Sequence, residues 1–129
     1  MTQAKEELVR YRLDRALDTL EDARILASAE RWNACLNRLY YACFYAVSAL
    51  LLKHGLSSAK HAGVRGLFNK DFVMTGKVPK DMARTYNLLF EHRQKGDYAD
   101  LVDYEQSFVM PFFPRVEECI HHIAALLKE

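Results

Sequence analysis

The sequence predicts an all-α protein, an up-and-down bundle of four to five helices, and three observations lead to this prediction. Apolar residues recur every three or four positions along most of the chain, which is the spacing of one face of a helix. Only 5 Gly and 3 Pro interrupt the pattern, and the apolar–polar alternation typical of strands is hard to find. The 129 residues, 50% of them hydrophobic, can bury one core, so we expect a single domain over 1–129.

The first two helices are predicted from their periodicity and from one glycine. Residues from about Lys5 to Ala29 form an amphipathic helix, with leucine and alanine on one face and charged residues between them. The second helix runs from about Arg31 to His54 and ends at Gly55, which can adopt the left-handed conformation that closes a helix. This helix is apolar nearly all round, so it needs cover from its own neighbours or from a second copy of the chain.

The middle of the chain predicts two further helices. The third is expected from about Ala59 to Val73, with Ser57 or Ser58 as its N-cap. Proline fits the first turn of a helix, so the fourth is expected from about Pro79 to Lys95. Gly96 should stop it.

The last helix should begin after Asp103, where Gln106 completes a capping-box pattern. Pro111 and Pro114 lie within it, and either proline would remove a backbone hydrogen bond. We therefore expect a kink near Phe112 or a fresh start at Pro114.

Charge and composition exclude several classes of protein. The formal net charge is +1, with 18 basic and 17 acidic residues, so bulk electrostatics would not hold the chain on nucleic acid or on a membrane. The first residues are charged and lack the apolar run of a secretory signal, so we expect a cytoplasmic protein with no membrane segment. Cys35, Cys43 and Cys119 form neither a CxxC pair nor an even set, so we expect reduced core cysteines.

Motifs of the common catalytic classes are missing from the sequence. It contains no GxSxG, P-loop or GxGxxG, which argues against the usual hydrolases, NTPases and dinucleotide-binding enzymes. His121 and His122 are adjacent and point about 100° apart on a helix, so they cannot form an i, i+4 metal pair. We therefore predict neither a metal site nor a cofactor.

The run NRLYYACFYAVSAL on the second helix carries the strongest functional signal. Arg38, Tyr41 and Tyr45 are spaced three and four apart, so they share one face of the helix. An arginine within an aromatic face can hold a phosphate or stack against a base. The alternative is that Arg38 forms a salt bridge and that the aromatic residues of this run belong to the core, namely Tyr40, Tyr41, Phe44 and Tyr45.

Cationic side chains on two other helices are further candidates. Arg93 lies seven residues after Tyr86 and four after Leu89, on the inward stripe of the fourth helix; the alternative is that it complements the helix dipole. His61 falls in the first turn of the third helix, where it could act as an acid, a base or a phosphate ligand. The alternative for His61 is an ordinary surface histidine.

Three motifs taken together resemble the HEPN superfamily of small prokaryotic helical proteins. They are RLYYA from Arg38 with Phe44 after it, SAKHAGV from Ser58, and Arg93 followed by Asp97 and Tyr98. The last motif is similar to that of a branch with an Arg-x-x-x-Asp-Tyr pattern. The resemblance extends over nearly the whole chain.

The resemblance implies a bundle of four or five helices, commonly dimeric, with a cleft lined by polar residues. It also implies a partner, because such proteins are often encoded beside a minimal nucleotidyltransferase in toxin–antitoxin-type pairs. Carried over position by position, it implies a ligand-binding groove formed by Arg38, Tyr41, His61, Arg93, Asp97 and Tyr98.

One position departs from the pattern of HEPN ribonucleases, which resemble one another in an Arg, then four to six residues, then a His. That pair promotes attack by the RNA 2′-hydroxyl without metal. Tyr98 stands five residues after Arg93, and tyrosine, with a pKa near 10, is a poor base at neutral pH. Where some of these toxins carry a tyrosine that is adenylylated, this chain has Asp100. Arg115 and His121 match the spacing but point about 120° apart on a helix.

The sequence thus leaves three hypotheses. The first is a dimeric accessory subunit that binds a nucleotide or single-stranded RNA at Arg38, His61 and Arg93 and acts with a nucleotidyltransferase. The second is a metal-independent ribonuclease that uses His61 with Arg93. The third is a non-catalytic dimeric helical adaptor. The first two hypotheses require that Arg38, His61 and Arg93 lie together around one cavity lined by aromatic residues.

Overall fold

The computed structural model of the chain describes the backbone of residues 2–98 and 102–129, and the side chains of 2–93 and 102–129. The described residues form helices and no strand, which confirms the all-α prediction. The helices are α1 Gln3–Ser28, α2 Trp32–Lys53, α3 His61–Phe68, α4 Lys80–Tyr98, α5 Gln106–Val109 and α6 Phe112–Leu127, with a π-helical turn over Asn69–Val73 after α3.

Helix α2 lies at the centre of the bundle. It packs against α1, α3, α4 and α6, and residues on all its sides are buried, including Leu39, Cys43, Val47 and Leu50. The cover that an apolar helix needs therefore comes from the same chain on these sides. Gly55 follows with φ of 75°, which confirms it as the left-handed residue that closes the helix.

Among the described residues, α2 is also the one helix that is long and apolar enough to cross a membrane. Of its most apolar stretch, 67% is buried inside the protein. Such burial is typical of the core helix of a bundle. The three cysteines are likewise buried and free, which confirms their assignment to the core.

The start of α3 corrects one prediction. His61 is the first residue of α3, as expected, but Lys60 occupies the N-cap position and no side chain caps the helix. Ser57 and Ser58 are therefore not the N-cap. Ser58 Oγ instead accepts a hydrogen bond from the backbone N–H of Lys60 at 3.2 Å, so it holds the turn before the helix. Gly63 packs directly on this turn: a Cβ there would lie 2.9 Å from Ser58 Cβ.

The end of the third helix also differs from the prediction. The α-helical pattern stops at Phe68 and a wider π-helical turn, Asn69–Val73, follows. The side-chain amides of Asn69 and Asn87 exchange hydrogen bonds of 3.1 and 3.2 Å. This pair joins the wider turn to α4, a tertiary contact that the local sequence does not reveal.

Helix α4 passes through the glycine that was expected to stop it. It extends to Tyr98, beyond Gly96. A glycine inside a helix costs only about 1 kcal/mol relative to alanine, so it weakens a helix without ending it.

The C-terminal segment is broken near Phe112, as predicted. Helix α6 begins there with Pro111 in the N-cap position, and Pro114 lies in the first turn, where its missing N–H removes no intrahelical bond. The predicted capping box after Asp103 is wrong, because Glu105 occupies the N-cap of α5 and no side chain caps it.

Candidate functional site

Arg38 and Tyr41 form the first part of the candidate site, on one face of α2. The guanidinium carbon of Arg38 lies 4.8 Å from the centroid of the Tyr41 ring, a cation–π distance. Arg38 also donates two hydrogen bonds to Asn37 Oδ1, at 2.8 and 3.2 Å. The ion pairs between described residues belong to Arg24, with Glu21 and Glu117, so no described carboxylate forms the salt bridge that the alternative predicted for Arg38.

His61 joins these residues from α3. Its ring stacks on Phe44 with centroids 4.3 Å apart and meets the edge of Tyr41 at 5.7 Å. The hydroxyl of Tyr40 lies 2.7 Å from His61 Nδ1, so the phenol fixes the orientation of the imidazole. We call the rings of Tyr40, Tyr41 and Phe44 the aromatic cluster. His61 is half-buried against it, which contradicts the alternative of an ordinary surface histidine.

Arg93 reaches the same cluster from α4. Its guanidinium carbon lies 5.5 Å from the Tyr40 centroid and 5.7 Å from the Tyr41 centroid. Arg93 therefore faces inward, as its place on the helix predicts. The bundle brings Arg38, His61 and Arg93 together around one aromatic cluster, although they come from three different helices.

Tyr40 is the residue that joins these parts, and sequence reasoning placed it only in the core. It is 1% exposed, and its ring stacks at 6.0 Å on that of Tyr86, which is also fully buried. Burial raises the pKa of Tyr40 to about 12, against the opposing effect of the positive charge of Arg93. Burial also raises the pKa of Tyr86, so both phenols are neutral hydrogen-bonding groups at physiological pH.

Phe44 is a second contributor to the site that sequence reasoning assigned only to the core. It is half-buried and forms the stacking surface for His61. The available signal was its spacing four residues after Tyr40, which puts both rings on one face of α2. That spacing could not reveal which side chain from another helix would cover them.

Two predicted site residues cannot be placed in this arrangement. Asp97 and Tyr98 stand in the last turn of α4, but their side chains lie outside the described residues. Asp100 also lies outside them. Their assignment to the site remains a prediction.

The chemistry available at the cluster is that of binding an anionic, planar ligand. Guanidinium groups pair with phosphate oxygens, and exposed parts of aromatic rings stack against bases. The described residues contain no group of three His, Cys, Asp or Glu side chains arranged to hold a metal ion. Arg115 and His121, which match the ribonuclease spacing, line different grooves.

Comparison with known proteins adds a family and several relatives. The chain matches the family model of the HEPN domain over residues 9–129. A UPF0332 protein of Thermotoga maritima is 45% identical over 125 residues, which cover 97% of this chain and 95% of the relative. A Methanocaldococcus jannaschii protein named "Putative toxin MJ0142" is 33% identical, covering 73% of this chain and 63% of that protein. A UPF0332 protein of Gloeobacter violaceus is 36% identical, covering 76% of this chain and 75% of that protein.

Proposed function

This chain belongs to the HEPN family, and from that premise we propose that it is a cytoplasmic accessory subunit that binds a nucleotide or a single-stranded RNA segment. The ligand occupies the aromatic cluster between α2, α3 and α4. Arg38 and Arg93 pair with its phosphate groups, and Tyr41 stacks against its base. His61 donates or accepts a hydrogen bond according to its protonation state.

One observation carries this proposal: two arginines from different helices both lie over the Tyr41 ring, and one of them, Arg93, also lies over the Tyr40 ring. Arg38 contacts the Tyr41 ring at 4.8 Å, and Arg93 lies within 5.7 Å of both Tyr40 and Tyr41. A single arginine at a helix end is common and complements the helix dipole. Two arginines beside one ring cluster give a local concentration of positively charged groups that the net charge of +1 does not reveal.

Calorimetric titration with ATP, UMP and short oligouridylates tests the proposal. We expect binding by the wild-type chain and a loss of about 10-fold or more in affinity for Arg93→Ala, since a hydrogen bond to a charged group contributes about 1.5–3 kcal/mol. Arg84→Ala is the matched control, because Arg84 lies exposed on the same helix, away from the cluster. Absence of binding by every ligand, or equal affinity of both variants, would contradict the proposal.

We further propose that the protein acts as a homodimer with a minimal nucleotidyltransferase, in a toxin–antitoxin-type module. Its support is the family, together with the word toxin in the name of the M. jannaschii relative. Affinity purification of the tagged chain with the product of a neighbouring nucleotidyltransferase gene tests the partnership, and light scattering at micromolar concentration tests the dimer. Failure of the two proteins to co-purify would contradict the partnership. A monomeric mass would contradict the homodimer.

A metal-independent ribonuclease is the second candidate, favoured by the packing of His61 on the same cluster as Arg93. In this mechanism His61 would accept the proton of the RNA 2′-hydroxyl and Arg93 would stabilise the charge that develops on the phosphate. Incubation of RNA with purified protein in EDTA tests it. Cleavage that both His61→Ala and Arg93→Ala abolish would make this candidate the better one, and intact RNA would exclude it.

A further inference from the structure

A second groove adjoins the aromatic cluster on the side of α1. It has a volume of about 460 Å³, within the range of ~300–1,000 Å³ typical of small-molecule sites. Its walls include Phe44 and Tyr45 from α2, and Tyr11, Arg12 and Arg15 from α1. None of the described residues that line it is acidic.

The charge of this groove distinguishes it from others on the molecule. The groove between α1 and α6 contains Arg24, but Glu21 and Glu117 neutralise that arginine through salt bridges. The groove beside α4 contains two acidic residues, Asp81 and Glu118, together with two arginines, Arg84 and Arg115. The α1–α2 groove therefore keeps two positive charges that no lining carboxylate offsets.

Neutral partners hold both guanidinium groups in place. Arg15 Nη2 donates a hydrogen bond to the Tyr45 hydroxyl at 3.3 Å, and its guanidinium carbon lies 5.1 Å from the Tyr45 ring centroid. Arg12 Nη1 donates to the backbone carbonyl oxygen of Ser48 at 3.4 Å. The two arginines are thus held at the groove by uncharged partners, and Asp18, which does not line the groove, is the acidic side chain that acts on the charge of Arg15.

The groove is continuous with the aromatic cluster. Phe44 belongs to both, since it lines the groove and stacks on His61. The Tyr45 ring lies 5.9 Å from Phe44 and 6.0 Å from Tyr41, so the row of rings is unbroken. Arg38 and Tyr45 are seven residues apart, a rise of about 10 Å along α2, so a ligand that spans both positions is longer than one nucleotide.

We infer that the α1–α2 groove is a second subsite, which binds further nucleotides of a single-stranded nucleic acid whose first nucleotide occupies the aromatic cluster. This inference rests on the proposed function and names its ligand as an oligonucleotide. Rings stack on bases of any sequence, and arginines pair with the phosphates between them. The expected ligand is therefore a short strand with little sequence preference.

The test compares UMP with fluorescein-labelled octauridylate, U8, by fluorescence anisotropy and competition. We expect wild-type protein to bind U8 about 10-fold or more tightly than UMP, since each stacked base adds about this factor. Tyr45→Leu should weaken U8 binding about 10-fold and leave UMP binding unchanged. Arg10→Gln is the matched control for the Arg15→Gln variant of the salt experiment, because Arg10 is exposed on α1 and does not line the groove.

The salt dependence separates the roles of charge and stacking. Arg15→Gln should reduce the slope of log K against log salt for U8 by about 0.7, the contribution of one phosphate contact on a single strand. Tyr45→Leu removes a stacking ring and also the hydroxyl that orients Arg15, so it should lower the affinity with a smaller change of slope than Arg15→Gln causes. Arg15 is exposed, so we expect Arg15→Gln to keep the fold. A smaller salt slope for this variant would therefore report the loss of a phosphate contact.

Three outcomes would overturn the inference in distinguishable ways. If Arg15→Gln and Tyr45→Leu bind U8 as the wild type does while Arg93→Ala loses UMP, the second subsite is wrong and the proposed function stands. If neither UMP nor U8 binds, both fail together. If the groove variants change only the mass measured by light scattering, the groove is a contact between protein chains.

Discussion

Tyr40 belongs to the core and to the candidate site at once. Helical spacing identifies it as an aromatic core residue, and its 1% exposure agrees. Its hydroxyl nevertheless orients His61, and Arg93 lies over its ring. The pattern of a single helix fixes which way a side chain points, but not which group of another helix meets it there.

Removing the Tyr40 hydroxyl tests this double role. Tyr40→Phe keeps the packed ring and loses the hydrogen bond to His61, so we expect the free energy of unfolding to fall by about 1 kcal/mol. Urea denaturation measures this change. Tyr11→Phe, at a position that is 59% exposed, should change stability by less than about 0.5 kcal/mol, and an equal effect of the two substitutions would argue against an ordered Tyr40–His61 bond.

The raised pKa of Tyr40 also predicts an alkaline limit to stability. The folded protein holds the phenol proton more tightly than the unfolded chain, with a pKa of about 12 against the usual 10.0. This contribution to stability is complete below pH 10 and is lost as the pH rises from 10 through about 12. Unfolding measured at pH 9, 10 and 11 should show a steeper decline for the wild type than for Tyr40→Phe, and parallel declines would contradict the assignment.

At the scale of elements, the long helices could be predicted because their apolar periodicity is strong. The helix predicted from Lys5 to Ala29 is Gln3–Ser28, and the one from Arg31 to His54 is Trp32–Lys53. The errors fall at the ends of helices. Ser58 holds a turn in place of capping α3, and Gly96 continues a helix that its sequence was expected to stop.

The start of α3 matters most for the site, because it carries His61. Gly63→Ala would bring a Cβ against Ser58 Oγ and to 2.9 Å from Ser58 Cβ. We expect this substitution to destabilise the fold by about 1–3 kcal/mol, as overpacking does, and to weaken nucleotide binding by displacing His61. Thermal unfolding and UMP titration measure the two effects.

Two companion variants make this prediction specific. Gly66→Ala lies on the same helix with no heavy atom within 4 Å of the new Cβ, so it should raise stability by about 0.4–1 kcal/mol. Combining Gly63→Ala with Ser58→Gly removes the clashing atoms and should restore part of the loss. Destabilisation by Gly66→Ala to the same extent, or no recovery in the double variant, would show that the Ser58 turn does not set the start of α3.

At the scale of the whole molecule, the candidate site is a product of the bundle. Arg38, His61 and Arg93 lie far apart in the sequence, and each alone has an ordinary structural explanation. Local spacing placed Arg38 and Arg93 on inward or aromatic faces, and the family resemblance grouped all three. Their meeting required α3 and α4 to pack on the same side of α2, which helical periodicity does not determine.

The most direct test of the account follows the side chains themselves during ligand binding. UMP is titrated into isotope-labelled protein while NMR records the His61 ring and the guanidinium groups of Arg38, Arg93 and the control Arg84. A shared site predicts that the signals of His61, Arg38 and Arg93 shift together with one dissociation constant. The chemical shift of the Arg84 signal should not change. Shifts with different dissociation constants, or no shift at His61 and Arg93 while UMP binds, would contradict the central claim that these side chains form one site.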